Sequence, residues 1–376
     1  MRVERVSGIG QVDEAAWRAI EPPDFPFLDL EFLGALERSR SVGRRSGWSP
    51  VYLVCRDGER ILGALPVYLK TDSYGEYVFD WAWANAYHEH GLSYYPKLVS
   101  AVPFTPATGP KLLVRADTDR AQVASGLLDA ARKLADESGA SSTHALFLPE
   151  REMYEFEERG YAIRHSLQFH WRNRGYGEFQ DYLDAMTSKR RRQVARERRQ
   201  IEGVEVEHLT GETLLPEHAA LMYGFYIDTY DRKWGSPYLT RAFFDEVFCT
   251  MRDRIMLAIA RDELSRRPVA GALFFYKGDA IFGRYWGAVK DVRNLHFELC
   301  YYQGIEFAVE RGMTLFEAGA QGEHKLARGF LPAVMYSAHD IRHPAFRRAI
   351  EHYIAEEREM ISYQLTEYMD HDPYKR

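Results

Sequence analysis

Leu53-Val-Cys-Arg-Asp57, followed by Ile61-Leu-Gly-Ala-Leu-Pro-Val-Tyr68, is similar to Ala258-Ile-Ala-Arg-Asp262, followed by Val269-Ala-Gly-Ala-Leu-Phe-Phe-Tyr276. In the first copy, two apolar runs flank the dipeptide Asp57-Gly58, which favours the tight turn of a β-hairpin. One shared Gly-Ala-Leu can arise by chance, but a shared order of elements is harder to obtain that way. In each copy we predict a hairpin, an aromatic strand, a helix and a short buried strand, which indicates a tandem duplication.

The repeat predicts an α/β (α+β) protein of two lobes, 1–175 and 176–376, each a mixed sheet flanked by helices. The boundary falls near residue 175, within Arg172-Asn-Arg-Gly-Tyr-Gly177. The second lobe should also carry a basic helix and a long terminal helix over 344–368. The alternative is one large domain with a single mixed sheet.

Composition narrows the class of protein. The 376 residues carry a net charge of −6, with 46% hydrophobic and 28% charged residues, which are globular values and give no overall reason to expect a polyanionic partner. No apolar run approaches the roughly 18–20 residues of a membrane helix, and the first residues lack the apolar core of a signal peptide. The three cysteines are far apart in apolar stretches, which favours reduced core residues. We therefore expect a soluble, cytoplasmic protein without membrane insertion.

The best candidate for a chemical site is the polar run from Glu317 to Arg328. It follows a short apolar strand, and ligands favour the carboxyl ends of strands in α/β sheets. Acids and an imidazole beside cations suit general base catalysis next to a group that stabilises negative charge. The alternative is a solvated loop of ordinary, ion-paired charges. The candidate side chains of this run are Glu317, Gln321, Glu323, His324, Lys325 and Arg328.

Aromatic residues form two clusters, at 74–95 and 274–286. Tyr and Trp combine an apolar body with a polar tip, which suits a recognition cleft, although core packing explains such rings equally well. A turn at Trp234-Gly-Ser-Pro237 either lines a cleft or closes a helix end. His88-Glu89-His90 fits no standard zinc spacing, so no metal is expected. The substrate-binding candidates from these stretches are Asp80, Trp83, Tyr87, His88, Tyr94, Lys97, Trp234 and Arg284.

Seven of the twelve residues of Ser188–Arg199 are cationic, and Val194 and Ala195 alone are apolar. Focused positive charge on a net acidic protein suggests a phosphate partner, whereas a lone basic run is more often a solvated face. The phosphate-binding candidates are Arg191, Arg192, Arg196 and Arg198. The chain has no G-x-G-x-x-G, Walker or G-x-S-x-G motif, which argues against dinucleotide, P-loop and serine-hydrolase sites.

Four segments carry a family resemblance: Gly75-Glu-Tyr-Val-Phe-Asp-Trp-Ala-Trp-Ala-Asn-Ala-Tyr87, Tyr94-Tyr-Pro-Lys-Leu98, Pro103-Phe-Thr-Pro-Ala-Thr-Gly109 and Glu317-Ala-Gly-Ala-Gln-Gly-Glu-His-Lys325. They resemble a bacterial branch of the Fem peptidoglycan aminoacyltransferase superfamily, whose members are often labelled peptidoglycan biosynthesis/recognition proteins or N-acetyltransferases. That superfamily is built from tandem lobes of the GNAT fold. The resemblance therefore implies two GNAT-like lobes over most of this chain.

The resemblance implies an N-acyltransferase that moves an acyl or aminoacyl group to an amine, with acyl-CoA or aminoacyl-tRNA as donor and a cell-wall precursor peptide as a possible acceptor. Gly287–Phe297 matches the place where GNAT enzymes hold pyrophosphate, but it lacks their Gly-rich pattern, which weakens the case for CoA. The basic helix then fits a tRNA or a nucleotide-linked substrate. We expect Glu317 or Glu323 with His324 as the base, and Lys325 or Arg328 on a carboxylate or oxyanion. The alternative is a non-catalytic protein of the same fold that recognises a nucleotide-linked cell-wall precursor or RNA.

Overall fold

The computed structural model describes residues 1–232, 236–320 and 322–375. Contacts between residues group the chain into two compact units. The first unit contains Met1–Pro22, Phe27–Leu167 and Val334–Tyr363, and the second contains Pro23–Pro26, Gln168–Ala333 and Gln364–Arg376. The predicted ranges 1–175 and 176–376 differ from these units mainly at 334–363, a segment that groups with the first unit. Most of the terminal helix that we assigned to the second lobe therefore belongs to the first.

The first unit contains a mixed sheet and its helices. In spatial order the strands are β1 (Arg2–Val6), β2 (Trp48–Asp57), β3 (Arg60–Lys70), β4 (Lys97–Ser100), β6 (Ser142–Leu148) and β13 (Leu331–Ile341), which begins in the second unit, and β5 (Leu113–Val114) pairs with β3. The helices are α1 (Glu14–Arg18), α2 (Leu30–Arg38), α3 (Trp81–Glu89), α4 (Arg120–Ser138), α5 (Glu150–Glu157) and α12 (Pro344–Asp370), which continues into the second unit. The predicted hairpin is confirmed as β2 and β3, and β4 runs parallel to β6.

The helix α4 shows how the sequence specifies this unit. Asp119 caps its first turn by accepting a hydrogen bond from the Gln122 amide (3.1 Å), and Gly139 ends it in the left-handed conformation (φ 65°). Its apolar positions recur at helical spacing and pack on β2 and β3 in one apolar cluster. The helix and the strands thus bury the same core.

The prediction of an aromatic strand after the first hairpin was wrong. The segment contains the helix α3 instead. Alanine, the strongest helix former, alternates with the aromatic residues here, and Trp83 and Tyr87 lie one helical turn apart, so both face inward and are buried. The sequence Trp-Ala-Trp-Ala therefore has the alternation of a strand but the propensity of a helix.

The second unit repeats the plan. In spatial order its strands are β7 (Ala162–Arg172), which begins in the first unit, then β12 (Leu315–Glu317), β11 (Ala280–Ala288), β10 (Pro268–Lys277), β9 (Ile255–Asp262) and β8 (Val204–Leu209). The helices are α6 (Phe179–Ala185), α7 (Ser188–Arg199), α8 (Pro216–Arg232), α9 (Arg241–Thr250), α10 (Leu295–Phe297) and α11 (Gln303–Glu310), with a π-helical stretch over Glu298–Tyr302 between the last two. The second copy of the repeat is the antiparallel pair β9–β10, and the aromatic strand predicted after it is β11.

Candidate active site

A cavity opens where two parallel strands of the second unit separate. β11 and β12 pair over only three residues each, up to Phe282 and Glu317. Beyond that point a cavity of about 170 Å³ lies between β11, the helical segment 295–310 and the residues that follow β12. Residues that line it include Arg284, Tyr285, Cys300, Tyr301 and Gly319. The polar run predicted to hold the site begins at its edge.

The parallel pair of the first unit, β4 and β6, has a different continuation. The chain after β4 turns back along the end of β6, where the Gly109 amide donates to the Phe147 carbonyl (3.2 Å). Val102 and Phe104 in this segment are buried. The first unit thus packs its own chain beside the end of β6, whereas the second unit leaves a cavity beside the end of β12.

Glu317 ends β12 and is 3% exposed. It pairs across the antiparallel ladder with His170 on β7, and its Oε1 lies 3.8 Å from His170 Nε2. Burial lowers the pKa of His170 to about 3, helped by nearby cations, so the imidazole is neutral at physiological pH. Sequence reasoning missed His170. Its signal is a polar residue at an inward position of a predicted apolar strand.

Lys325 lies in a 3₁₀ turn, Glu323–Arg328, that follows β12. The side chain is 2% exposed, and its ammonium donates to the Gly319 carbonyl (2.7 Å) at the cavity wall. Burial lowers the pKa of Lys325 to about 8, against the opposing influence of Cys300 and Glu317. An ammonium of this kind is still charged near pH 7 but is weakly hydrated, which strengthens its attraction for developing negative charge.

His324 lies beside Lys325 but is exposed to solvent. A hydrogen bond joins its Nε2 to the Tyr301 hydroxyl (2.8 Å), and Tyr301 lines the cavity. Partial burial, with the charges of Arg328 and Lys325, lowers the pKa of the imidazole, whereas burial raises the pKa of Tyr301. A neutral imidazole can therefore accept a proton from the cavity through a protonated hydroxyl. Sequence reasoning missed Tyr301, which has no distinguishing signal within its helix.

The remaining predicted residues of the run lie in other settings. Arg328 is buried, and its guanidinium forms two hydrogen bonds with Glu197 of α7 (3.1 and 2.8 Å), which leaves it no role on an acceptor carboxylate. Glu323 is exposed and accepts a hydrogen bond from the Tyr368 hydroxyl (2.6 Å), away from the cavity lining. Gln321 and Trp234 lie outside the described residues.

The basic helix α7 has two faces. Arg198 is ion-paired with Glu298 (2.8 Å) and Glu306 (3.0 Å), and Arg191 with Asp184 (2.9 Å). These two arginines thus form ion pairs within the protein, whereas the sequence predicted that they contact phosphate. Lys189, Arg192, Arg196 and Arg199 are exposed and follow one another at helical spacing, so they form one cationic stripe.

The aromatic and charged residues predicted to bind substrate in the first cluster mostly lie inside the first unit. Lys97 is fully buried, and its ammonium donates to Glu76 (2.8 Å), to Ser73 (2.8 Å) and to Asp80. The Tyr94 hydroxyl also donates to Asp80 (2.6 Å). Trp83 and Tyr87 are buried beside them, and His88 is exposed on α3. Lys97 is thus paired with Glu76 and Asp80 in the interior, while Glu76 Oε1, Asp80 Oδ1 and the Tyr87 hydroxyl are buried without a hydrogen-bond partner among the described residues.

Two histidines absent from the sequence-based prediction lie opposite each other in the same unit. His144 on β6 and His339 on β13 are paired across the antiparallel ladder, with their Nδ1 atoms 2.6 Å apart. Ser142 and Ser337, two residues before each histidine, bond the other ring nitrogens (2.7 and 2.9 Å). Burial lowers the pKa of both imidazoles well below the usual value. One imidazole therefore donates to the other while both stay neutral.

A second cavity, of about 430 Å³, adjoins Trp286 and His296, which also line the first. Among its cations, Lys290 is ion-paired with Asp262 (2.7 Å) and Arg232 with Asp228 (3.0 Å).

Among the described residues, no three His, Cys, Asp or Glu side chains are grouped as a metal site requires. Within the same part of the chain, every helix is too short or too polar to span a bilayer.

Solved structures of similar fold were compared with this chain. The crystal structure of FemX superposes with a TM-score of 0.55 at 11% identity, covering 93% of this chain and 100% of that one. L-PGS from Bacillus licheniformis (TM-score 0.49, 12% identity, 85% and 95% covered) and a tandem GNAT protein from the clavulanic acid biosynthesis pathway (0.44, 14%, 91% and 99%) are further similar structures. No protein with a curated function matches the sequence.

The likeness to FemX shows the fold, in agreement with the predicted Fem-like architecture. A family described as peptidoglycan biosynthesis/recognition matches residues 8–376, which is nearly the whole chain. The chain belongs to this FemAB-like family.

Proposed function

We propose that the protein is an N-acyltransferase that moves an acyl or aminoacyl group to an amine of a peptidoglycan precursor at the cavity beside Glu317. One observation carries this proposal: two residues that line the cavity at the separation of β11 and β12 are each bonded to a candidate residue, Gly319 through its carbonyl to the buried Lys325 ammonium and Tyr301 through its hydroxyl to His324. Acyl transfer needs a group that stabilises an oxyanion and a group that removes a proton from the amine.

In the proposed reaction the acceptor amine attacks the acyl carbon of an ester or thioester. The carbonyl oxygen becomes an oxyanion, which the Lys325 ammonium stabilises. The amine proton passes to the Tyr301 hydroxyl, which gives its own proton to His324 Nε2, 2.8 Å away. The tetrahedral intermediate then collapses, the bond from the acyl carbon to the alcohol oxygen or thiol sulfur breaks, and the leaving group takes a proton from the water to which His324 releases its own. Arg284 lines the cavity and is the proposed contact for a carboxylate of the substrate.

Glu317 influences the charge of Lys325. Its carboxylate opposes the effect of burial on the pKa of Lys325, and it faces the neutral His170. We therefore assign Glu317 to holding the charge of the Lys325 ammonium. The base is His324 acting through Tyr301, because its imidazole is exposed to solvent and can release the proton there.

The test is transfer to an amine-bearing muropeptide from acetyl-CoA or from aminoacyl-tRNA, followed by mass spectrometry. Lys325→Met should lower kcat by about 10²–10³-fold, as the loss of one oxyanion donor does in other enzymes. Tyr301→Phe should lower it by roughly 10²-fold, the contribution of general base catalysis. Lys111→Met is the matched control, because Lys111 is also buried on a carbonyl, that of Phe147 (3.2 Å), but in the first unit. Wild-type rates in both site variants would refute the assignment.

The stripe on α7 is the proposed contact for the phosphates of a tRNA or of a nucleotide-linked precursor. Its four side chains recur about every 5–6 Å along the helix, the spacing of side chains three and four residues apart. Their exposure leaves them available to an anion, unlike Arg191 and Arg198.

A non-catalytic binding protein is the second candidate. Its support is that Lys290 and Arg232 in the larger cavity are ion-paired with carboxylates, which weakens the case for this cavity as the site of the acyl-CoA donor that a transferase would need. A thermal-shift series separates the two functions. Stabilisation by a nucleotide-linked peptide without any turnover supports the binding protein, and stabilisation by acyl-CoA or aminoacyl-tRNA supports the enzyme.

A further inference from the structure

Glu197 is a buried carboxylate on an otherwise cationic helix. It is 7% exposed and lies on the inner face of α7, opposite the cationic stripe. Besides the two hydrogen bonds from Arg328, it accepts one from Gln193 (2.9 Å) and one from the Tyr302 hydroxyl. Both carboxylate oxygens are thus engaged, as a buried charge requires.

Arg328 connects this carboxylate to the turn that carries Lys325. Its Nη1 donates to the His324 carbonyl (2.7 Å), and its guanidinium carbon lies 3.4 Å from the centre of the Phe297 ring. The Tyr182 hydroxyl donates to the Arg328 carbonyl (2.8 Å). The guanidinium therefore contacts Glu197, the His324 carbonyl and the Phe297 ring. Arg328 fixes the end of the turn through these side-chain contacts and through its own carbonyl.

The backbone of the turn does little by itself to fix its shape. It is a six-residue 3₁₀ stretch, a conformation with weak internal hydrogen bonds. Gly322 (φ 119°) and Gly329 (φ 83°) bound it in conformations that other residues rarely adopt. The Lys325 and Gly329 amides donate to Gly322 and Leu326 within the turn (2.9 and 3.1 Å). Side-chain contacts from outside must therefore select this conformation among the alternatives open to a glycine-bounded loop.

We propose that Glu197 is a positioning residue: through Arg328 it holds the Lys325 ammonium and the His324 imidazole at the cavity. The kinetic part of this inference rests on the function proposed above, whereas the structural part does not. A buried ion pair adds little net stability compared with apolar packing, but removal of one partner leaves the other uncompensated. Glu197 thus links the basic helix to the chemistry of a turn that lies more than a hundred residues away in the sequence.

Hydrogen exchange tests the structural part without any substrate. In the full-length protein, Glu197→Gln keeps the size of the side chain and removes its charge. Arg328→Lys keeps the positive charge and removes the two guanidinium N–H groups that donate to Glu197. Both should speed exchange of the amides of residues 322–330 by at least about tenfold, because local opening of the turn becomes easier. Glu152→Gln is the matched control: Glu152 is also buried and ion-paired, with Arg120 (3.0 Å), but in the first unit.

Kinetics test the second part. The same two variants should lower kcat by about tenfold or more with KM changed less than about twofold, since a misplaced ammonium loses stabilisation of the transition state. Unchanged exchange of residues 322–330 in folded Glu197→Gln overturns the proposal, and so does a wild-type kcat in that variant. If Glu197→Gln does not fold, Tyr302→Phe, which removes one donor to Glu197, must show the same changes in smaller measure. Absence of transfer in the wild-type protein would contradict the proposed function, while the exchange result would still decide the positioning role.

Discussion

Replacement of His144 and His339 together by Asn should flatten the pH dependence of the stability of the first unit. Both imidazoles are buried and neutral in the folded protein, and burial lowers the pKa of each well below its usual value. Lys97 and Arg164 add positive charge nearby, and Asp80 opposes them at His339. The unfolded chain takes up a proton on each histidine as the pH falls through about 6.5, whereas the folded protein does not. The folded state therefore loses stability as the medium becomes more acidic.

The size of the effect follows from the two pKa shifts. At about pH 5.5 a histidine of the unfolded chain is roughly nine-tenths protonated, so each buried imidazole contributes about 1.2 kcal/mol per pH unit to the slope. The pair contributes about 2.5 kcal/mol per pH unit if neither is protonated in the folded state. Other buried histidines, such as His170, contribute equally to the wild type and to the variant. The difference between the two slopes therefore isolates the pair.

Native-state hydrogen exchange of the amides of β6 and β13 measures this slope, because it reports opening of the first unit by itself. The two proteins are compared by the slope of the free energy of opening against pH, because the substitutions themselves also change the absolute stability. His352→Asn is the control, since His352 is largely exposed (78%) on α12 and hydrated in both states. Equal slopes in the wild type and the double variant between about pH 6.5 and about pH 5 would refute the neutral pair.

Three further perturbations test other parts of the structure. Lys97→Met leaves two buried carboxylates without their ammonium and should cost about 3–5 kcal/mol in urea unfolding, so a loss below about 1 kcal/mol would contradict a charged network. If RNA binds the stripe, Arg192→Ala with Arg196→Ala should reduce the slope of log affinity against log salt by about 1.4 in fluorescence anisotropy, and a slope equal to that of the wild type would exclude this surface. Burial lowers the pKa of Lys325 to about 8. We therefore expect kcat to fall as the pH rises through about 8 and the ammonium loses its proton. A kcat that stays constant up to about pH 10 would contradict the role of Lys325 on the oxyanion.

Local sequence patterns predicted most of the elements. The first hairpin, α4 and the strands of the second unit follow from apolar periodicity, capping residues and Gly turns, which act over a few residues. The failure at α3 is also local, because alternating Trp and Ala satisfy the strand pattern while alanine favours a helix. The division of the chain was harder to predict, because 334–363 groups with the first unit through pairing between β13 and β6, which lie far apart in the sequence.

The sequence indicated the segment of the candidate site, and the structure showed which of its side chains lie near the cavity and which are paired elsewhere. The position of Glu317–Arg328 after a strand was enough to mark the run, and Lys325 and His324 bond to Gly319 and Tyr301, which line the cavity. The same reasoning could not separate Lys325 from Arg328, since both are cations in one turn. Glu197, 131 residues earlier in the chain, engages the guanidinium of Arg328 and leaves the ammonium of Lys325 beside the cavity.

The sequence by itself therefore determined the repeated hairpins, the family resemblance and the segment proposed to carry the chemistry, because these depend on residues close together in the chain. Tertiary structure alone decided which charged side chains form ion pairs within the protein. The partners of Lys97, Arg198 and Arg328 come from other segments of the chain, and each ion pair engages its cation within the fold. The separation of β11 from β12 beyond Glu317 is likewise a property of the assembled sheet, and it creates the cavity where the proposed transfer takes place.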